Sequence, residues 1–367
     1  MSDDESIEGL DEAHSSGWAD YPLDSVFVRK EERSVSEVVK RIKNNRYQLN
    51  PDFQRDFVWS IEKQSKLIES CLMRIPLPVF YVAEAVDGTV IVVDGLQRLT
   101  TLLRYSENSF ALRGLNTDGS SGSGNTLDGK RFKDLPLKLQ ERIEDTQLVF
   151  YILDSRAPER AKLDIFDRVN SGVPLSRQQM RNSLYSGTAT QLLKKLAQLD
   201  LFRDATGESL DPKSMRDREA LNRFCAFKLL GYETYRGDMD GFLSKSLEEM
   251  NTMSSRSLNE LAKSLENSMR HNIDLFGSHC FRKSLREDAP NAKRTILNIA
   301  LFDVMSVYFS DIEGSFGRRQ ANKVKKLVID LLNDDDFNLA ITYSTNSTNA
   351  ITTRFQMFSE TIDGAMQ

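Results

Sequence analysis

The chain has 367 residues, of which 40% are apolar and 28% charged, a balance that supports one large domain or two packed ones and excludes a fibrous or wholly disordered polymer. Its 49 basic residues face 54 acidic ones, giving a formal charge of -5. The molecule as a whole is therefore no electrostatic magnet for polyanions, and any nucleic-acid contact must use a local basic patch.

The first residues, MSDDESIEGLDEAHSSG, are acidic and lack a basic and then apolar leader, so a short flexible tail over 1–21 is expected. Ser34 is placed to cap a helix, SVSEVVKRI, with Glu37 completing a capping box. The segment YQLNPDFQRDFVW follows, mixing Phe53, Phe57 and Trp59 with Gln54 and Arg55, and Pro51 disfavours continued helix. Its aromatic residues read first as core, which would leave Arg55 needing an anionic partner, Asp52, Asp56 or a ligand. Ser60 caps a second predicted helix, IEKQSKLIESCLMR, with Arg74 in its last turn and Pro76 and Pro78 as the stop.

Residues 78–94, PVFYVAEAVDGTVIVVD, predict a hairpin turning at Asp87-Gly88. A helix, RLTTLLRYSENSF, begins almost at once after Asp94, so a strand, a tight turn and a helix N-terminus converge where backbone N–H groups can meet an anion. Asp94 can hold Mg²⁺ through oxygen, orient water or cap the helix. Gly95 permits close approach, Gln97 and Arg98 bring amide and guanidinium donors, and Thr100 and Thr101 offer hydroxyls, one of them expected to pack instead.

Residues 116–129 form the Gly/Ser-rich stretch, read as a surface loop. A strand is expected over TQLVFYILD, then a helix ERAKLDIFDRVN ended by Ser171-Gly172, then a helix RQQMRNSLY capped by Ser176. Asn170, Gly172, Arg181 and Asn182 cluster around that turn; Asn170 reads first as capping chemistry, and Arg181 can share an anion with Arg98 only if the fold joins them. From about 188 onward helical periods follow one another without clear strand alternation, which predicts a helical domain over 188–367. The run LNIALFDVMSVYF, interrupted by Asp303, is too short to span a bilayer and reads as a buried helix.

Conventional catalytic and metal signatures are scarce. His14, His271 and His279 lack zinc or nucleophile spacing, and no P-loop, dinucleotide fingerprint or nucleophile elbow is present. Cys71, Cys225 and Cys280 lie far apart in apolar surroundings and read as core thiols of a reducing, cytoplasmic compartment. Arg318, Arg319, Lys323, Lys325 and Lys326 form a basic cluster that reads first as a solvated helix face and second as a nucleic-acid or partner contact.

Taken together and in order, NPDFQRDFVW, VVDGLQRLTTLL and FDRVNSGVPLSRQQMRNSLY resemble the N-terminal-domain family of GmrSD-type modification-dependent restriction endonucleases. The resemblance implies an α+β chain: a ParB/sulfiredoxin-like phosphate- and nucleotide-handling domain over 22–187, followed by the mostly helical domain. It places the family's main motif on Asp94, Gly95, Gln97 and Arg98, with Gln54, Arg55, Asn170, Gly172 and Arg181 in support. Leu96 stands where many members carry Gln, and no His-rich segment supplies the nuclease motif that many members add.

Three functions follow as expectations. The first is a nucleotide-dependent DNA-processing subunit of a phage-defence system, a Mg²⁺-dependent NTPase or nickase in which Asp94, Gln97, Arg98 and Arg55 act while Gly95, Thr100, Gln54, Asn170 and Arg181 hold a nucleoside triphosphate. Under it, loss of Arg98 abolishes turnover without unfolding the chain. The second is a non-catalytic DNA-binding or regulatory module with salt-sensitive affinity. The third is a helical scaffold for a nuclease or another defence protein. DNA is the expected partner, a membrane is not, and a homo-oligomer is left open.

Overall fold

The computed structural model describes residues 7–9, 28–49, 59–85, 88–115, 127–169, 176–289 and 292–366. Two compact units divide it, one spanning Ser16–Leu184 and the other combining Met1–Ser15 with Tyr185–Gln367.

In the first unit the described elements run β1 (Val28–Ser34), α1 (Val35–Lys43), β2 (Tyr47–Gln48), α2 (Ile61–Leu72), β3 (Phe80–Glu84), β4 (Val90–Asp94), α3 (Leu96–Ser106), α4 (Leu137–Glu144), β5 (Gln147–Leu153), α5 (Glu159–Val169) and α6 (Arg177–Leu184). The five strands form one mixed sheet in the order β1-β5-β3-β4-β2. β1 lies antiparallel to β5, β5 parallel to β3, β3 antiparallel to β4, and β4 parallel to β2. The hairpin expected over 78–94 is present, with Gly88 at φ +79; Asp87 lies outside the described residues.

Helices cover both faces of this sheet. One face buries Phe80, Val82, Val90, Val92, Leu148, Phe150 and Ile152 against α1, α2, α3 and α4, with Phe80 and Phe150 stacked at 5.2 Å between ring centroids. Across the other face, Ala83, Val93 and Leu153 pack with Leu163 of α5 and Met180 of α6. Alternate residues of a strand point to opposite faces, so β3 and β4 feed both cores and need apolar residues at almost every position.

Local signals set most helix starts. Ser34 accepts the N–H of Glu37 at 3.3 Å, but the expected reciprocal half of the capping box gives way to an ion pair in which Arg41 Nε donates to Glu37 at 2.9 Å. Ser60 accepts the N–H of Lys63 at 3.3 Å, and Ser176 accepts that of Gln179 at 3.2 Å while donating its own N–H to Gln179 Oε1 at 2.7 Å. α2 ends at Leu72, earlier than expected, and Arg74 follows in the left-handed region at φ +59 rather than in the last turn.

The second unit is helical: α7 (Thr188–Leu196), α8 (Asp200–Thr206), α9 (Arg216–Leu230), α10 (Met239–Thr252), α11 (Ser255–Phe276), α12 (Ile299–Phe309), α13 (Arg318–Leu332), α14 (Asp335–Ala340) and α15 (Thr348–Met366). Residues 7–9 belong to it, because Ile7 buries its side chain and Glu8 exchanges backbone hydrogen bonds of 3.1 Å with Leu297 and Ile299. α12 is buried, as its apolar run requires, and Asp303 inside it is answered by two arginines. Arg223 Nε donates to Asp303 Oδ1 at 2.8 Å and Arg354 Nη2 to Oδ2 at 2.8 Å. Among the described residues no helix is long and apolar enough to cross a membrane. The three cysteines are buried and unbridged, and desolvation pushes the Cys71 thiol up to about 11.

Candidate functional site

Asp94 is the last residue of β4, and the chain turns at Gly95 directly into α3. Gly95 has φ +100, a conformation that L side chains rarely adopt, and a Cβ placed there would lie 2.3 Å from Phe80 Cδ1. Only glycine fits both the torsion and the space. Gly95 occupies the N-cap position of α3 and offers no side-chain cap. The first intrahelical bond runs from Leu99 N–H to Gly95 C=O at 2.9 Å, so the N–H groups of the first turn have no partner inside the helix and favour an anion or water.

Asp94 does not cap this helix. Its Oδ2 accepts from Arg98 Nη2 at 2.7 Å, one helical turn on, while Oδ1 has no hydrogen-bond partner among the described residues. The Asp94 side chain keeps 29% of its accessible surface and Arg98 only 11%. Arg98 Nη2 also donates to the Val79 carbonyl at 3.1 Å and Nη1 donates to the Pro78 carbonyl. Its guanidinium carbon sits 4.4 Å from the centroid of the Phe80 ring. Burial pulls the Arg98 guanidinium below its ordinary value, with Asp94 acting in the opposite sense; a guanidinium remains protonated at any physiological pH.

Gln97 and Thr100 complete the turn. Gln97 Oε1 is buried without a hydrogen-bond partner among the described residues, an acceptor with unmet capacity. Thr100 is half-buried, whereas Thr101 is buried and spends its hydroxyl on the Gln97 carbonyl at 2.7 Å. The structure thus brings Asp94, Gly95, Gln97, Arg98 and Thr100 together in one strand-to-helix turn.

Gln54, Arg55, Asn170 and Gly172 lie outside the described residues. Arg181 is on α6, 1% exposed, and donates from Nη1 to Gln178 Oε1 at 3.3 Å; Gln178 Nε2 in turn donates to Asn182 Oδ1 at 2.9 Å. The helix reaches the sheet through Met180, which shares a core with Val93, the residue before Asp94.

Two sets of contacts, the hold of Pro78, Val79 and Phe80 on Arg98 and the buried Asp164, were not expected from the sequence. Pro78, Val79 and Phe80 hold Arg98 by backbone carbonyls and a ring face, and no side-chain motif announces such contacts. Asp164 on α5 is buried and accepts from Arg177 Nη2 at 3.1 Å; an acidic residue inside an apolar helical stripe was the available signal. Among the described residues there is no cluster of three or more His, Cys, Asp or Glu able to hold a metal ion.

Residues 35–186 match the family model described as GmrSD restriction endonuclease, N-terminal domain. That span contains the strand-to-helix turn and both helices on the Val93 face. No curated protein matches the chain.

Proposed function

We propose, from the match of residues 35–186 to the GmrSD restriction endonuclease N-terminal domain, that the chain is a restriction-related, DNA-processing subunit whose Asp94 turn engages a nucleoside triphosphate. The observation that carries the reading is Asp94 Oδ1, without a hydrogen-bond partner among the described residues, beside the N-terminus of α3, which has no side-chain cap. Phosphate oxygens suit such a place, because orphan N–H groups and the positive end of the helix both favour negative charge.

A single carboxylate fits Mg²⁺ held mainly by phosphate oxygens and water rather than by an all-protein cage. When bound there, the ion would supply charge neutralisation at the phosphates. Asp94 would then be the protein ligand through Oδ1, Gly95 serves by its torsion, which starts α3 directly after Asp94 with the Phe80 ring packed on it, and Gln97 orients a water or a phosphate oxygen. Arg98 has its Nη1 and Nη2 groups committed to Asp94 and two carbonyls, so it acts as a positioning residue that fixes the Asp94 carboxylate. The direct phosphate cation would be Arg55 or Arg181, as the family resemblance suggests.

The same engagement of Arg98 favours a second reading, in which the turn binds a phosphate group without hydrolysing it and the chain is a DNA-binding module. Fluorescence anisotropy of a labelled DNA duplex, with and without each nucleoside triphosphate and Mg²⁺, tests the shared claim. Binding that weakens steeply with salt and changes with nucleotide supports the first reading. Salt-sensitive binding indifferent to nucleotide supports the second, and absence of DNA binding at low salt contradicts both.

A further inference from the structure

The helical unit carries a recess lined by Leu275, Phe276, His279, Ser284, Leu285 and Lys325, with Asp288 at the same wall. His279 ends the 3-10 turn Gly277–His279 that follows α11 and is 7% exposed. Its Nδ1 lies 2.9 Å from Ser284 Oγ. Ser284 is itself held by Thr295: the Ser284 N–H donates to Thr295 Oγ1 at 3.1 Å, and the Thr295 N–H donates to Ser284 Oγ at 3.2 Å.

This chain of bonds assigns the imidazole tautomer. Ser284 is buried, and its Oγ–H has no other acceptor among the described residues, so donation to His279 Nδ1 is the arrangement that satisfies the hydroxyl proton. A neutral imidazole accepting at Nδ1 carries its proton on Nε2. His279 makes no other hydrogen bond among the described residues, and its Nε2 is not sealed from solvent, so this N–H is open to water or to a ligand acceptor at the recess.

A second donor stands on the same recess. Lys325 of α13 pairs with Asp288 at 2.9 Å, the two side chains being 33% and 61% exposed. An ion pair this accessible contributes little and exchanges readily. The remaining walls, Leu275, Phe276 and Leu285, are apolar.

We propose that this recess is a binding site for a small monocarboxylate with a short apolar tail. Its carboxylate accepts from His279 Nε2–H and Lys325 Nζ, and the tail packs on Leu275, Phe276 and Leu285. Asp288 makes a dianion such as phosphate the poorer ligand, because the extra charge faces a carboxylate. The site lies in the helical unit and does not depend on the Asp94 reading.

The chain has three histidines, which makes the test direct: ring ¹H–¹⁵N correlation spectra of the full chain, titrated separately with hexanoate, hexanol and inorganic phosphate. The His279 Nε2 signal should move saturably with hexanoate at about 1–10 mM, as expected of a small ligand. It should respond more weakly to hexanol and phosphate, while the His271 signal stays. Lys325→Gln, a change at a partly exposed position, should raise the half-saturation concentration by roughly tenfold, the scale of one lost charge-assisted bond. A His279 signal that does not move, that follows hexanol equally, or that saturates identically in Lys325→Gln overturns the proposal.

Discussion

Asp94 and Arg98, one helical turn apart, join at 2.7 Å across the junction of β4 and α3, and the same guanidinium ties α3 to the backbone of Pro78 and Val79. Arg98 is therefore a clamp between the start of β3 and the first turn of α3. Arg98→Ala should lower stability by about 1–3 kcal/mol, less than a fully buried pair because Asp94 is partly exposed. Urea unfolding measures it. The expectation from sequence that Arg98 can be lost without a folding cost meets this clamp, so folding and turnover must be measured together.

Gly95 gives a sharper steric test. Gly95→Ala sets a side chain at φ +100 and 2.3 Å from Phe80, and should cost about 2–4 kcal/mol from torsional strain and overlap combined. In the Phe80→Leu background the overlap part falls while the torsional part remains. A double-mutant cycle in urea should therefore show coupling between the two sites; strict additivity would place the cost in the torsion alone.

Asp303 pairs with both Arg223 and Arg354 in the interior of the helical unit, with the Asp303 side chain fully buried. Asp303→Ala leaves two buried guanidinium groups without their shared carboxylate and should destabilise the unit by about 3–5 kcal/mol. Thermal unfolding reads this as a large drop in Tm. A loss below 1 kcal/mol would mean that water or other carbonyls satisfy both arginines.

On β1, Arg29 and Arg33 both donate to Glu31 and hold its carboxyl below the usual range. A depressed folded-state value means that the contribution is complete above the unfolded carboxylate value, near pH 4.3, and fades as pH falls through the folded value. Glu31→Gln should cost at most about 1 kcal/mol at pH 7, since the pair is partly exposed. The difference from the parent chain should vanish in strong acid. A difference independent of pH would assign the loss to packing.

Much of this fold was legible because local signals agreed. Asp87-Gly88 between β-rich runs, Ser34, Ser60 and Ser176 as caps, and the step from Asp94 through Gly95 into a helix all express short-range chemistry. β1 was not legible: VRKEERS carries five consecutive charged residues of both signs instead of an apolar stripe, and it is a strand because its full length pairs with distant β5 at the sheet edge. α4, α8 and α14 are only 8, 7 and 6 residues long, too short for a helical period to stand out although Gly207 ends α8 and Asp334 caps α14. At the candidate site, the step from strand through Gly95 into a helix was legible but the commitment of Arg98 was not, since carbonyls of Pro78 and Val79 reach it only through tertiary packing.

The most direct test of the nucleotide reading is phosphate release from ATP, GTP, CTP and UTP by the purified chain with Mg²⁺, with and without DNA, beside a folded Asp94→Ala variant. Release from at least one nucleotide is expected, falling by roughly 10²-fold or more in the variant, the scale for losing a group that stabilises the transition state. Release that persists undiminished in Asp94→Ala would contradict a nucleotide site at this turn.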